Sequence, residues 1–371
     1  MWVVLIAAAS GACDYNAGSK TWARLPGNCS YGTFDVSGCT SLKGVFEGTT
    51  CTDLNISGWD TSSVRNMDSM FFGAKSFNGD ISGWNTASVQ TMNSVFSGAE
   101  SFNQDISGWN TSSVTSMWQM FMAAHTFNQN ISRWDTSAVT NMAMMFLLAT
   151  SFNGDISGWD VSKVQLLDAM FGNADSFNGD ISEWDTPAVT SMVSMFYGAV
   201  SFKSDVSKWI TSSVNNMDNL FYNATSFDGD ISKWNTSTVQ SLDGTFSGAS
   251  SFNGDISGWD TSAVTSMINT FANATSFDGD VSGWDVSNVA TCGDFNVNSA
   301  LRRTPRNMNS TCTTTYPTPS PAASAKSTLS PGAVVGIIIG ALALVVIGVL
   351  VGKHVCGPKY TRAPIENSVY L

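Results

Sequence analysis

The chain has 371 residues, of which 43% are hydrophobic and only 12% charged, and its formal net charge is −12. The length admits one large domain or two ordinary ones. An acidic chain of this kind lacks the basic face that a nucleic-acid partner requires, so no nucleic-acid partner is expected.

Residues 1–12 read as a signal peptide: residues 2–9 are apolar, and the small residues Ser10, Gly11 and Ala12 follow. Next comes a Cys-rich N-terminal cap over residues 13–60, with Cys13, Cys29, Cys39 and Cys51. Cys292 and Cys312 bracket the end of the repeats, Cys356 lies beyond an apolar C-terminal segment, and no cysteine falls between residues 52 and 291. Six cysteines on one side of a membrane fit an oxidising compartment and three disulfides in two end caps. The four N-terminal cysteines admit three pairings, which spacing alone does not separate.

Residues 61–300 are organised by a 25-residue period. Ten tryptophans, from Trp59 and Trp84 to Trp284, recur at that interval without an insertion, and Phe46 to Phe271 and Val64 to Val289 keep the same register. In the unit 61–85, Val64, Met67, Met70 and Phe71 have the spacing of one helix face. Thr61 stands where an N-cap belongs, and Pro187 is placed as at a helix start. Position 73 and its equivalents are mostly Gly or Asn, which suit a left-handed helix end; Ala123 and Leu148 depart from this. A helix of about three turns is therefore expected in each coil. A short strand is expected around Asp80–Ser82, with a bend at Gly83 that turns both Ile81 and Trp84 inward.

One such coil cannot bury its own apolar face, but a stack can. The predicted fold is an α/β repeat solenoid, leucine-rich-repeat-like, with one short strand and one helix per coil. Strands about 4.8 Å apart on one side and helices about 8–10 Å apart on the other would curve it.

Residues 301–331 form a C-terminal cap and a Ser/Thr/Pro-rich stalk. Residues 332–352 are uncharged and apolar, long enough for a transmembrane helix. Lys353, Lys359 and Arg362 follow, which places the tail 353–371 in the cytoplasm. The expected location is the plasma membrane, single-pass type I, with the ectodomain extracellular. Gly332, Gly336 and Gly340 are spaced for close helix approach and a homodimer, and Cys356 is placed for palmitoylation.

The run V-T-S-M…M-F-x-G-A…S-F-N-G-D-I-S-G-W-D closely resembles the BspA-like leucine-rich-repeat surface proteins, in particular the 25-residue repeat of mycoplasma surface lipoproteins. The resemblance covers residues 36–300. It implies a cell-surface protein of adhesion or host contact and brings no catalytic residues. The chain departs from the lipoprotein members: Ser10-Gly11-Ala12-Cys13 lacks their leucine, and the chain has an apolar span of its own.

Chemistry is sparse. His125 and His354 are the two histidines, zinc spacing is absent, and neither an enzyme nor a cofactor is expected. Asp80, Asp105, Asp155 and Asp180 share one column and are candidates for Ca²⁺ between adjacent coils. Asn at equivalent positions, and Ile210 within a second acidic column formed by Asp60, Asp135, Asp160, Asp185, Asp260 and Asp285, favour turn-capping by Asx side chains instead. N-glycosylation sequons occur at Asn28, Asn55, Asn110, Asn130, Asn223, Asn235, Asn273 and Asn309. Trp118, Met122, Leu147, Tyr197 and Tyr222 form an apolar set outside the core, read either as a ligand patch or as packing between neighbouring helices. The expected function is cell-surface recognition or adhesion, with an extracellular protein or glycan as ligand. The alternative is a structural cell-coat glycoprotein without a specific ligand.

Overall fold

In the computed structural model, residues 36–308 are described, except Asp53. They form a stack of coils. Ser41 bridges Asn66 in parallel, Asn66 bridges Thr91, and the series continues without a gap to Thr291. Each coil thus meets the next at a fixed offset of 25 residues. The stack begins inside the segment expected as a cap, since Ser41 and Phe46 already hold repeat positions.

The expected helix is not there. Among the described residues there is no α-helix, and residues 68–73 and their equivalents are runs of turns. Three turns follow one another: Met70 N–H donates to Met67 C=O, Phe72 to Ser69 and Ala74 to Phe71, at 3.0–3.1 Å. The alternate amides donate to the next coil, Met67 to Thr91, Ser69 to Asn93, Phe71 to Val95 and Gly73 to Ser97, at 2.7–3.2 Å. Ser69 and Gly73 have φ of 56° and 65°. Each is the third residue of its turn, where a type II turn requires positive φ. A helix forbids both features, because it sends every amide four residues back and holds φ negative.

Spacing explains the outcome. Packed helices need about 8–10 Å, whereas coils bridged backbone to backbone lie about 4.8 Å apart. The coil-to-coil bonds run along the turn segment too, so helices do not fit. The argument for curvature from unequal spacing falls with them.

Other local expectations change in the same way. Thr61 is buried and does not cap a helix; its hydroxyl donates to Asn85 C=O at 2.9 Å, and Thr86, Thr111, Thr136, Thr186, Thr211, Thr236 and Thr261 repeat the bond one coil on. Pro187 is the second residue of a turn closed by Val189 N–H on Thr186 C=O, a position that suits its fixed φ. Asp80–Ser82 is not a strand; the parallel bridge of this coil is at Asn66. A turn at Ser82–Gly83, closed by Trp84 N–H on Ile81 C=O at 3.2 Å, brings both Ile81 and Trp84 inward.

The core is aromatic. Phe46 to Phe271 stack coil on coil with centroids 5.4–5.8 Å apart. Phe77 to Phe277 do so at 5.5–6.1 Å. The indoles stack at 6.1–6.5 Å from Trp59 to Trp159 and again from Trp184 to Trp284. Each ring pair adds about 0.5–1.5 kcal/mol beyond the area it buries. From Trp84 to Trp284 every indole N–H of this ladder donates to a carbonyl 28 residues earlier, as Trp84 does to Ile56 at 3.0 Å, so no polar atom of these rings is left unpaired in the core. Trp59, at the start of this ladder, has a buried Nε1 with no partner among the described residues.

A side-chain ladder runs along the surface. The amide of Asn103 donates to Asn78 Oδ1, and those of Asn128, Asn153, Asn178 and Lys203 each donate to the preceding Asn, at 2.8–2.9 Å. Lys203 has no acceptor to pass on, and the ladder resumes with Asn253 on Asp228. The glycine after Asn153 is dictated by space: a Cβ on Gly154 would lie 2.9 Å from Gln129 C=O and 3.1 Å from Phe152 Cε2.

Candidate recognition surface

The turn segments form one face of the stack. Their inward residues repeat, while the residues at positions 68, 69, 72 and 73 and their equivalents differ from coil to coil. Position 68 shows how the fold holds them. Asp68 Oδ1 accepts the hydroxyl of Thr91 at 2.6 Å and the amide of Asn93 at 2.9 Å in the next coil. Asn93, Asp168, Asp218 and Asp243 repeat this arrangement. Trp118 and Ala143 cannot, and they mark where the face turns apolar.

Of the apolar set read from the sequence, Trp118, Met122, Tyr197 and Tyr222 are partly exposed. Tyr197 and Tyr222 stack on each other at 4.7 Å, nearly parallel. Leu147 is not a surface residue; it is 2% exposed. Its Cδ1 leans over Gly172, where an added Cβ would come within 2.7 Å of it. Phe72, in the same column, is exposed. With no helix among the described residues, the alternative of packing between neighbouring helices is replaced by stacking between successive turns.

Two residues that belong to this face, Met144 and Asp168, were missed in the sequence, whereas Leu148 was noted there only as a departure from Gly or Asn. Met144 and Leu148 hold the two left-handed positions of their coil, at φ 59° and 63°, where most other coils place Gly, Asn or Ser. Asp168 lies one coil further on. Burial raises its carboxyl above the usual range, against the opposing bonds from the Ser191 hydroxyl and the Val193 amide. Burial also raises Asp218, and it raises the Tyr197 phenol with help from Tyr222. The signal was available as an alignment of coils, in which residues 141–150 carry no charge.

The exposed aspartates are engaged locally. Asp80 Oδ1 accepts the Ser82 amide at 3.0 Å and the Ser82 hydroxyl at 2.7 Å, and those bonds lower its pKa. The same bonds lower Asp105, Asp155 and Asp180. Among the described residues, no group of three or more His, Cys, Asp or Glu is arranged to hold a metal ion. His125 Nδ1–H donates to Leu148 C=O at 2.9 Å.

The sequon residues Asn55, Asn110, Asn130, Asn223, Asn235 and Asn273 are exposed. Asn110 and Asn235 accept the hydroxyl of their own sequon serine at 2.8 Å. Cys39, Cys51 and Cys292 are disulfide-bonded. Among the described residues, no helix is long and apolar enough to cross a membrane. The signal segment, the stalk, the span 332–352 with Gly332, Gly336 and Gly340, the tail, Cys13, Cys29, Cys312, Cys356, Asn28 and Asn309 all lie outside the described residues.

A constant aromatic interior, one parallel bridge per 25-residue coil and a variable turn face define a repeat protein built from stacked coils. The family described as "Mycoplasma protein of unknown function, DUF285" matches residues 23–131, 104–209 and 190–303. The chain belongs to this family. No curated protein and no solved structure matches the chain.

Proposed function

We propose that this chain is a surface recognition protein of the BspA-like leucine-rich-repeat kind, a non-enzymatic module that holds its turn face outward to bind an extracellular protein or glycan. One observation carries the reading. Interior columns repeat coil after coil, while positions 68, 69, 72 and 73 vary and gather apolar side chains between Trp118 and Tyr222. A scaffold whose only role was to supply length has no physical need for partly exposed Trp118, Met122, Tyr197 and Tyr222 in its middle coils. In this reading the span 332–352 crosses the plasma membrane, and residues 301–331 carry the stack outside it.

Binding of the chain to whole cells and to a glycan panel tests the proposal. Saturable binding that drops on Tyr197→Ala or Trp118→Ala supports it. Absence of binding to every cell, matrix extract and glycan overturns it in favour of a structural coat component.

A further inference from the structure

The turn face is electrostatically one-sided. Across the ten-residue turn segments from 91–100 to 291–300, the acidic residues are Glu100, Asp168, Asp175, Asp218, Asp243 and Asp294, with no lysine or arginine. The segments 141–150 and 191–200 carry no charge at all. Asp168 stands between them, in one column with Ala143 before it and Val193 after it, and the stack leaves it partly exposed. Backbone strain collects at the same place. Met144 and Leu148 both adopt positive φ, at a cost of about 1–3 kcal/mol each, where Gly or Asn would relieve it.

We propose that the turn face between Trp118 and Tyr222 docks a protein segment whose apolar side chains rest on Trp118, Met122, Tyr197 and Tyr222 and whose lysine or arginine pairs with Asp168. The proposal rests on the recognition reading and names the partner's chemistry. Charge complementarity selects this occupant. Lys75 of the preceding coil pairs with Glu100 at 2.9 Å; beyond that pair the carboxylates have no lysine or arginine among these turn segments, and they repel a second copy of this acidic chain as they repel an anionic lipid headgroup. A carboxylate among apolar neighbours attracts a cation more strongly than one in open water does. Partly exposed Trp and Tyr rings add cation–π attraction.

The test uses the full chain in lipid nanodiscs and three synthetic peptides. All share one Leu/Phe core, flanked by lysine, by serine or by glutamate, and binding is read by surface plasmon resonance. The lysine peptide is expected to bind about tenfold tighter than the serine peptide, the gain of roughly one charge pair, and the glutamate peptide weakest. Asp168→Asn is expected to erase the lysine advantage while leaving the fold intact. Asn93 already does the same structural work in that column, accepting the Ser116 hydroxyl at 2.6 Å and the Trp118 amide at 3.1 Å.

Equal binding of the lysine and serine peptides overturns the proposal, as does a lysine advantage that survives Asp168→Asn. So does tighter binding to anionic vesicles than to the lysine peptide. If the lysine and serine peptides bind alike and Trp118→Ala weakens both, the recognition reading stands and the cation pairing alone fails. If no peptide binds while the chain still binds cells or glycans, the recognition reading again stands without this partner.

Discussion

Phe146→Ala removes a fully buried ring from the middle of the stack. That ring lies 3.8 Å from Phe152 in its own coil, 5.6 Å from Phe121 and 5.8 Å from Phe171 in the flanking coils, and 6.3 Å from Trp159. Truncating a buried Phe costs about 3–5 kcal/mol. Four ring partners place this one at the upper end, at about 5 kcal/mol. Each coil touches only its neighbours, so the loss falls on both interfaces of a single coil. The stack is then expected to come apart there, in two unfolding steps. Phe46→Ala, near the start of the described stack, loses contact with Phe71 at 5.4 Å and Trp59 at 5.5 Å. It is expected to cost less, about 3 kcal/mol, and to leave one main transition. Urea titration followed by tryptophan fluorescence and circular dichroism reads both effects. A Phe146→Ala variant that loses no more stability than Phe46→Ala, or that unfolds in a single unaltered step, refutes the reasoning.

Gly154→Ala forces a Cβ against Gln129 C=O and Phe152 and is expected to cost about 1–3 kcal/mol, whereas Gly108→Ala, with open space around it, is expected to be neutral or to gain about 0.5 kcal/mol; thermal unfolding of the two variants checks the contrast. Leu148→Asn places a residue tolerant of positive φ at a strained position and is expected to raise stability by about 1 kcal/mol, read as a higher urea midpoint. Asp168 has a folded-state pKa raised by burial. Its native form therefore holds its proton more tightly than the unfolded chain does, and stability is lost as pH rises from the unfolded value through the raised one. Asp168→Asn should match the parent near pH 3.5 and exceed it at pH 7 in urea midpoint. Asp80, Asp155 and their equivalents are shifted the other way. Their contribution is present at neutral pH and lost as pH falls through their lowered values, so acid titration of the Asp168→Asn variant should still show a decline below about pH 4.

Much of the frame was legible in the residues. The register of Trp, Phe and Val fixes the 25-residue offset seen in every bridge from Ser41 to Thr291. The bend needed at Gly83 is present as a turn, and Gly or Asn at position 73 answers to a left-handed residue. The tandem turns that replace the expected helix were not legible, because they bury Val64, Met67, Met70, Phe71 and Ala74 with the same near-three spacing that a helix face shows. What separates the two is the destination of alternate amides, and no side chain records that. The second left-handed position, at Ser69 and its equivalents, was the available clue, since Gly44, Gly244, Asn219 and Asn269 occupy it elsewhere. The helix assumption had a consequence for the surface. It drew attention to position 72, found Tyr197 and Tyr222, took only Trp118 from position 68, and passed over Asp168 in that column and Met144 at position 69. Leu147 was misplaced for a different reason: the Gly172 of the next coil leaves room that the leucine side chain fills.

The central claim is that the turn segments bond from coil to coil and not along a helix. Scalar coupling through hydrogen bonds, measured by NMR on the perdeuterated chain, tests it at a single amide. Phe146 N–H is expected to couple to the carbonyl carbon of Met170, its acceptor at 2.9 Å in the following coil. A coupling to Met142, four residues back, would contradict the account.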